Sequence, residues 1–162
     1  MRIFSLVRNI RNWPGYLMFK LRGKRKASFT FRCGQGIRLE VPLRLLHTFK
    51  ESFLDEGYLK GFPGGLFPSD PVVLDIGANV GYFSFYLLSR FPKARIYAFE
   101  PVEKNFKQLK IYQNAHPGFR LAAFQKAVAA QSGSITLFLD QGDSFTTSAS
   151  IHKNPFGSDP VQ

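Results

Sequence analysis

A chain of 162 residues with 44% hydrophobic side chains has the size of one domain and enough apolar material to build its core. Cys33 is the only cysteine, which excludes an intrachain disulfide, fits a reducing compartment and predicts an inert thiol rather than a nucleophile. Of the formal charge of +11, +10 lies in residues 1–38, which hold ten Lys or Arg and no acid, whereas 12 basic and 11 acidic residues leave positions 39–162 nearly neutral at +1.

Residues 1–38 are accordingly predicted to form a basic N-terminal arm. Met1 to Trp13 has the pattern of an amphipathic helix, since its apolar side chains share an arc of roughly 120°: Ile3, Leu6, Val7, Ile10 and Trp13. Pro14-Gly15 interrupts this pattern, and a second short apolar run, Tyr16 to Leu21, precedes the basic cluster at 22–26. Both apolar runs are far shorter than a membrane span, and no small-residue cleavage site typical of a signal peptide follows them.

Three interpretations of the arm remain open. It can dock on the domain and leave its basic side chains in solvent, it can lie on an anionic membrane surface with Trp13 and Phe19 as anchors, or it can contact nucleic acid. Docking is favoured because amphipathic helices mostly serve cores. Nucleic acid ranks last because the basic residues alternate with apolar ones rather than with stacking platforms. We therefore expect a cytoplasmic protein, with the inner face of the membrane as a candidate partner of the arm.

Residues 39–71 are predicted to lead into the main domain. Phe29 to Leu45 contains short β-like runs around two glycines and is expected to be a small hairpin or an irregular lead-in. His47 to Leu59 has a helical pattern with aromatic side chains on one side. His47 stands outside any motif, so a structural or exposed role is expected for it. Gly61 to Pro71 has the composition of a linker.

The most informative stretch of the chain begins at Val72 and reads VVLDIGANVGYFSFYLLSRFPKARIYAFEP. Val72 to Leu74 is an apolar, β-branched run of the kind expected for a strand buried on both faces. Tyr82 to Leu88 continues as a mostly apolar helix that is expected to pack on the sheet, and a proline follows it. Arg95 to Phe99 is predicted as the next strand, with an acid, Glu100, at its tip.

A strand, a glycine turn, a helix and a second strand ending in an acid form a nucleotide-binding unit. Gly77 and Gly81 allow a tight turn and the close approach of a ligand, and the helix N-terminus offers free N–H groups. Glu100 lies 19 residues after Gly81, where it can accept hydrogen bonds from both hydroxyls of a ribose. The turn reads D-x-G-x-N-x-G, so Asp75 stands where the pyrophosphate of NAD or FAD would need to sit. A carboxylate there suits a ligand with a cationic amine beside its adenosine, namely S-adenosylmethionine (SAM).

The pair of strings DIGANVG and AFEP resembles the FkbM-type family of SAM-dependent methyltransferases, and the similarity runs over about residues 53–150. This resemblance implies an α/β fold, a Rossmann-like class I methyltransferase domain with a doubly wound, mostly parallel sheet. It implies methyl transfer from SAM to a small-molecule or glycan acceptor, with a hydroxyl of a sugar or secondary metabolite as the expected target. It also implies that Gly77, Asn79 and Gly81 line the methionine end of SAM, that Asp75 holds the amine and that Glu100 takes the ribose.

Further elements of the domain are predicted after the acid. Pro101 to Asn114 has a helical pattern, with the proline in the first turn, and Phe119 to Phe124 is expected to be the third parallel strand. The residues that follow a third strand lie beside the adenine in this fold. Backbone groups near Lys126 and Ala127 are therefore expected to contact that ring.

The predicted sheet is incomplete. Ser134 to Leu139 alternates like one more strand, the SAM-binding domain is bounded at 72–150, and residues 151–162 are expected to fray. A complete fold of this type has further strands beside the first one and an acidic D-x-E-G-type motif, which is absent after Asp143. The chain is therefore expected to be truncated or to borrow a sheet edge from a partner, since an uncovered strand exposes apolar surface and favours association.

The sequence identifies no general base and no metal site, because its three histidines, His47, His116 and His152, lie outside motifs. A SAM-dependent methyltransferase is the first hypothesis, and whether this short chain is active by itself is left open. A non-catalytic membrane-surface module that uses the basic arm is the second hypothesis. A dinucleotide oxidoreductase is the third, and Asp75 disfavours it.

Overall fold

The computed structural model describes residues 2–23, 27–55, 59, 68–134, 136–140 and 158–161. Its helices are α1 (Arg2–Asn9), α2 (Trp13–Leu21), α3 (Leu46–Phe53), α4 (Tyr82–Arg90) and α5 (Glu103–Ala115). Its strands are β1 (Ser28–Arg32), β2 (Arg38–Pro42), β3 (Val72–Ile76), β4 (Arg95–Phe99), β5 (Arg120–Phe124), β6 (Leu137–Asp140) and β7 (Ser158–Val161). Among the described helices, none combines the length and the apolarity that a membrane crossing requires.

The centre of the fold is a parallel sheet in the order β3-β4-β5. Helices α4 and α5 provide the two crossovers that parallel neighbours need. At the carboxyl ends of the strands, Ile76, Phe99 and Phe124 lie side by side in register, so the loops that follow the strands meet at one edge. The predicted α/β, Rossmann-like fold is confirmed, and all three parallel strands lie where the sequence pattern indicated.

The parallel sheet buries one face and exposes the other. Asp75 and Ile96 point to the buried face, beneath the helices, whereas Val72, Leu74 and Ile76 on the opposite face are 57%, 64% and 61% exposed. The prediction that the first strand is buried on both faces is wrong for the described part of the chain. The physical reason is that, among the described residues, helices cover only one face of the parallel sheet and β3 pairs with β4 alone.

The first helix is shorter than predicted, because it ends at Asn9 rather than at Trp13. Ile10 instead forms an isolated antiparallel bridge with Cys33, so a distant backbone partner overrides the local helical pattern. Trp13 begins α2. Pro14, which was expected to interrupt the helix, lies in the first turn of α2, where its missing N–H leaves no helical hydrogen bond unmade.

The N-terminal arm packs on the domain, as the favoured interpretation expected. Its inward-facing side chains belong to one buried cluster with α3 and α4: Leu6, Ile10, Tyr16, Phe19, Phe31, Cys33 and Ile37. The side-chain amide of Asn9 donates to the Phe53 carbonyl at 2.6 Å and ties α1 to the end of α3. Burial raises the pKa of the Cys33 thiol, which agrees with the inert thiol that was predicted.

The segment before the sheet consists of a hairpin and α3. β1 and β2 form the antiparallel hairpin that was expected. Phe31 of β1 stacks on Phe49 of α3 with ring centroids 4.1 Å apart, and Phe49 stacks on Phe53 at 4.6 Å. This aromatic stack fixes one face of α3 in the core. The helix ends at Phe53, six residues earlier than predicted, and most of the linker predicted at 61–71 lies outside the described residues.

The ends of α5 differ from the prediction. The helix begins at Glu103 rather than at Pro101, because Val102 is extended and its N–H donates to the Glu100 carboxylate at 2.9 Å. His116 directly follows the last turn of α5, and both of its ring nitrogens have hydrogen-bond partners. The C-terminal end of α5 is therefore anchored to its surroundings.

A second small sheet lies beyond the parallel one. β6 was predicted from the sequence, but it begins three residues later than expected. It pairs antiparallel with β7, so that Asp140 of β6 lies opposite Ser158 of β7. The predicted fraying is therefore wrong for residues 158–161. β7 lies about 20 residues after β6 in the chain, so its pairing cannot be inferred from the local pattern. β7 also contains a proline, which is unusual in a strand. Residues 141–157, between these two strands, lie outside the described residues.

Candidate functional site

The turn between β3 and α4 is held in place by the end of β4. The N–H groups of Gly77 and Ala78 both donate to the Phe99 carbonyl, at 2.9 and 3.0 Å. Gly77 and Asn79 have φ angles of 76° and 52°, in the left-handed region that glycine and asparagine enter most easily. The glycine and asparagine of the motif are therefore the residue types that this reversal of the backbone needs.

Gly81 serves the packing of the helices. Its φ is 88°, and a Cβ at this position would lie 2.4 Å from Cδ1 of Leu109 on α5. Because glycine lacks that atom, α4 can begin close to α5 directly after the turn. Gly81 is buried behind the turn, and its predicted contact with the methionine end of SAM stays a prediction.

Asp75 lies near the end of β3 and is 8% exposed. The Ser84 hydroxyl, from α4, donates to its Oδ2 at 2.6 Å and orients the carboxylate. Burial raises the pKa of the Asp75 carboxyl, and the hydrogen bond from Ser84 counteracts part of that rise. A carboxylate in this setting gains from a cationic partner, because a neighbouring positive charge compensates for lost hydration.

Glu100 fixes the turn from behind. Its Oε2 accepts the Asn79 N–H at 2.7 Å, its Oε1 accepts the Val102 N–H at 2.9 Å, and the Asn105 amide donates to Oε1 at 3.5 Å. The residue is 4% exposed, and burial raises the pKa of its carboxyl while these hydrogen bonds counteract the rise. A carboxylate offers about four lone-pair positions, so three hydrogen bonds leave acceptor capacity for one more.

A cavity of about 490 Å³ opens in front of the turn. The cavity is lined on the side of the turn by Asp75, Gly77 and Asn79. Tyr82, at the start of α4, also lines the cavity. The polar face of α3 also lines this cavity, with His47, Thr48, Glu51 and Ser52. A volume of this size suits a small-molecule ligand.

A second cavity, of about 900 Å³, lies on the exposed face of the sheet at the same edge. Leu74, Ile76 and Phe99 form its apolar floor, and residues 125–134 run along its side. Lys126 and Ala127, where the adenine was expected, are among these lining residues. Their predicted contact with the ring stays a prediction.

The structure brings most of the predicted site residues to one place. Asp75, Gly77 and Asn79 share the cavity, whereas Glu100 supports the turn from behind and is not among its lining residues. Sequence reasoning missed Ser84, although its position nine residues after Asp75 on an apolar helix was a signal, since a buried hydroxyl needs a partner. It also missed the polar side of α3. Within the described part of the chain, no group of three His, Cys, Asp or Glu residues could hold a metal ion.

Comparison with known proteins adds sequence relatives, although no protein-family profile matches the chain. The chain is 50% identical over 56 residues to the AMB antimetabolite synthetase AmbE of Pseudomonas aeruginosa, which is 35% of this chain and 2% of that protein. It is 28% identical over 109 residues to Methyltransferase 1 of Beauveria bassiana, a match that covers 67% of this chain and 41% of that protein. It is 34% identical over 74 residues to the 2-O-methyltransferase NoeI of Sinorhizobium fredii, a match that covers 46% of this chain and 30% of that protein.

Solved structures with a similar arrangement include the methyltransferase FkbM from Methylobacillus flagellatus, with a TM-score of 0.37 and 18% identity over 50% of this chain and 23% of that one. They also include P. horikoshii TYW2 in complex with MeSAdo, with a TM-score of 0.42 and 16% identity over 62% and 36%. The chain spans less than half the length of each of these proteins. The predicted similarity to methyltransferases is confirmed in sequence, because relatives named as methyltransferases are among the proteins that the chain matches.

Proposed function

We propose that this chain holds the SAM-binding site of an FkbM-type methyltransferase, with the methionine end of SAM in the cavity beside the glycine turn. The observation that carries the proposal is the buried Asp75 carboxylate, which lines a cavity of small-molecule size next to that turn. A carboxylate repels a pyrophosphate and attracts an ammonium group. The relatives named as methyltransferases support the same assignment.

Each predicted contact has a place in this proposal. Asp75, oriented by Ser84, accepts hydrogen bonds from the amine, and the backbone at Gly77 and Asn79 meets the methionine end. Glu100 offers its remaining lone pair to a ribose hydroxyl while it keeps the turn in position. The adenine lies toward Lys126 and Ala127, at the carboxyl edge that β3, β4 and β5 share. Its neighbours there include the apolar side chains of the second cavity.

The proposed reaction is methyl transfer to a hydroxyl group. SAM supplies a methyl group activated by its sulfonium; a C–O bond forms as the C–S bond breaks, and the hydroxyl proton leaves to a base or to water. The residues of this chain contribute position, because holding the donor in a fixed orientation removes much of the entropic barrier. A hydroxyl of a small molecule or a glycan is the proposed acceptor, in line with the relative named a 2-O-methyltransferase.

Isothermal titration with S-adenosylhomocysteine tests the proposal, since this product-like ligand carries the amine and the adenosine but cannot react. We expect the wild-type chain to bind it, and Asp75→Asn to weaken binding by roughly tenfold or more, because a charged hydrogen bond is lost. Asp70→Asn is the matched control, since Asp70 is exposed before β3. A folded wild-type chain that fails to bind, or equal affinity of the two variants, would overturn the proposal.

A second candidate function is attachment of the arm to an anionic membrane surface. α1 and α2 each bury one side in the core, and on the other side they present apolar residues to solvent: Ile3, Phe4, Val7, Leu17, Met18 and Leu21. Basic side chains lie exposed beside them: Arg8, Arg11, Lys20 and Arg22. This combination is typical of helices that lie in a lipid interface. The anchors differ from those expected, since Phe19 is buried and Trp13 packs against the core.

A further inference from the structure

The polar side of α3 forms one wall of the proposed SAM cavity. Phe49 and Phe53 bury the apolar side of this helix in the core, and the residues one and two positions before each of them line the cavity: His47, Thr48, Glu51 and Ser52. An amphipathic helix at a protein surface turns its polar side to water. Here the polar side also borders the cavity of about 490 Å³ that Asp75 lines, so its side chains are placed to meet a ligand there.

The ionisable side chains of this cavity are mainly acidic. Asp75, Glu51, His47 and Tyr82 line it, and no Lys or Arg occurs among the described residues of its lining. The chain as a whole carries a formal charge of +11, so an acidic cavity is a local departure from its surroundings. Two carboxylates facing one space favour a positively charged occupant.

Glu51 is held toward its neighbour on the same helix. The Glu51 Oε1 lies 3.5 Å from Nδ1 of His47, one helical turn earlier. Both side chains remain partly exposed, at 47% and 83%, so they keep hydrogen-bonding capacity for a ligand. His47 is thus a close neighbour of the Glu51 carboxylate on the same helix.

We propose that Glu51, which lines the same cavity as Asp75, is a second carboxylate for the cationic end of SAM. The inference rests on the proposed function, because it takes SAM as the occupant of this cavity. Two positive charges, the ammonium and the sulfonium, lie close together in SAM, and two carboxylates that line one cavity can face both. S-adenosylhomocysteine keeps the ammonium but lacks the sulfonium charge, so the two ligands differ in the charge that a second carboxylate would meet.

Glu51→Gln tests the inference by isothermal titration with SAM and with S-adenosylhomocysteine. We expect the Kd for SAM to rise by roughly three- to tenfold, as for loss of a partly exposed charge pair, and the Kd for S-adenosylhomocysteine to rise less. Glu103→Gln is the matched control, because Glu103 forms the same kind of pair with Lys107 one turn later on α5, with the charged atoms 2.6 Å apart. Its affinities should equal those of the wild type.

The outcomes separate the two proposals. If Asp75→Asn weakens SAM binding while Glu51→Gln binds like Glu103→Gln, the second carboxylate is refuted and the SAM site stands. If the folded wild-type chain binds neither ligand, both proposals fail. A circular-dichroism spectrum of each variant shows that it is folded, and the substitution of an exposed glutamate is not expected to change that.

Discussion

At the scale of single residues, the candidate site contains two buried carboxyl groups whose charged forms are disfavoured by burial. Asp75 and Glu100 are both buried carboxyls, and burial raises the pKa of each. The folded chain therefore binds these protons more tightly than the unfolded chain does. It follows that the free energy of unfolding falls as pH rises from the ordinary carboxyl range through the raised pKa values. Buried acids that weaken the fold at neutral pH are typical of sites that need charge for binding.

Asp75→Asn is expected to raise the free energy of unfolding at neutral pH while it weakens ligand binding. The amide keeps an oxygen that can accept the Ser84 hydroxyl, and it carries no charge that burial would penalise. Urea denaturation at about pH 7 and about pH 3 measures the effect, which should shrink at the lower pH because the wild-type carboxyl is then protonated too. Asp70→Asn should stay within about 0.5 kcal/mol of the wild type. A less stable Asp75→Asn chain at neutral pH would show that the charge contributes to folding.

At the scale of elements, α5 joins the parallel sheet to the N-terminal hairpin. The His116 Nε2 accepts the Arg38 N–H at 3.0 Å, and its Nδ1 lies 2.7 Å from the Tyr112 carbonyl. The two contacts require a neutral imidazole that carries its proton on Nδ1, since Nε2 has to accept. The Tyr112 hydroxyl donates to the Glu40 carbonyl nearby, so a second contact reaches the same strand.

His116→Ala is expected to lower the free energy of unfolding by about 2 kcal/mol, because it removes two hydrogen bonds and leaves the Arg38 N–H without this acceptor. Urea denaturation monitored by circular dichroism measures the loss. The same substitution at exposed His47 should change stability by no more than about 0.5 kcal/mol. Equal effects at both positions would mean that the contact between α5 and β2 carries no stability of its own.

Local pattern was sufficient for the elements whose partners lie nearby in the chain. β4 and α4 follow from apolar runs of the right length, and the turn between β3 and α4 follows from its glycines and Asn79. Pairings between distant segments were not predictable in this way, as the bridge between Ile10 and Cys33 and the strand β7 show. The same limit applies to the site: Asp75 belongs to a motif, whereas Glu51 lines the cavity only because tertiary packing brings α3 beside the turn.

At the scale of the whole molecule, the described residues include two surfaces on which several apolar side chains are exposed together. One is the face of the sheet formed by Val72, Leu74 and Ile76, next to the unpaired edge of β3 in the described chain. Association through this face stays a prediction. The other surface is the outward side of the arm, where the charge is of one sign, since residues 1–38 contain no acid. Apolar area together with uniform positive charge indicates a partner that is both apolar and anionic.

Truncation of the arm would be a poor test of membrane binding, because Leu6 and Ile10 belong to the core and their removal would disturb the fold. Phe4 and Leu21 are 70% and 86% exposed, so Phe4→Ser with Leu21→Ser should leave the fold intact. We expect this double variant to bind vesicles of phosphatidylserine and phosphatidylcholine roughly tenfold or more weakly, because two side chains no longer enter the apolar layer.

Co-sedimentation across a series of lipid concentrations measures this difference. Ile111→Ser is the control, since Ile111 is 60% exposed on α5 and lies outside the arm. Vesicles of phosphatidylcholine alone should bind the wild type weakly, because each basic residue near an anionic surface contributes about 1 kcal/mol that a neutral surface does not supply. If the double variant and the Ile111→Ser control sediment equally with anionic vesicles, the arm is a docked segment of the domain and its exposed apolar side chains have no role at a membrane.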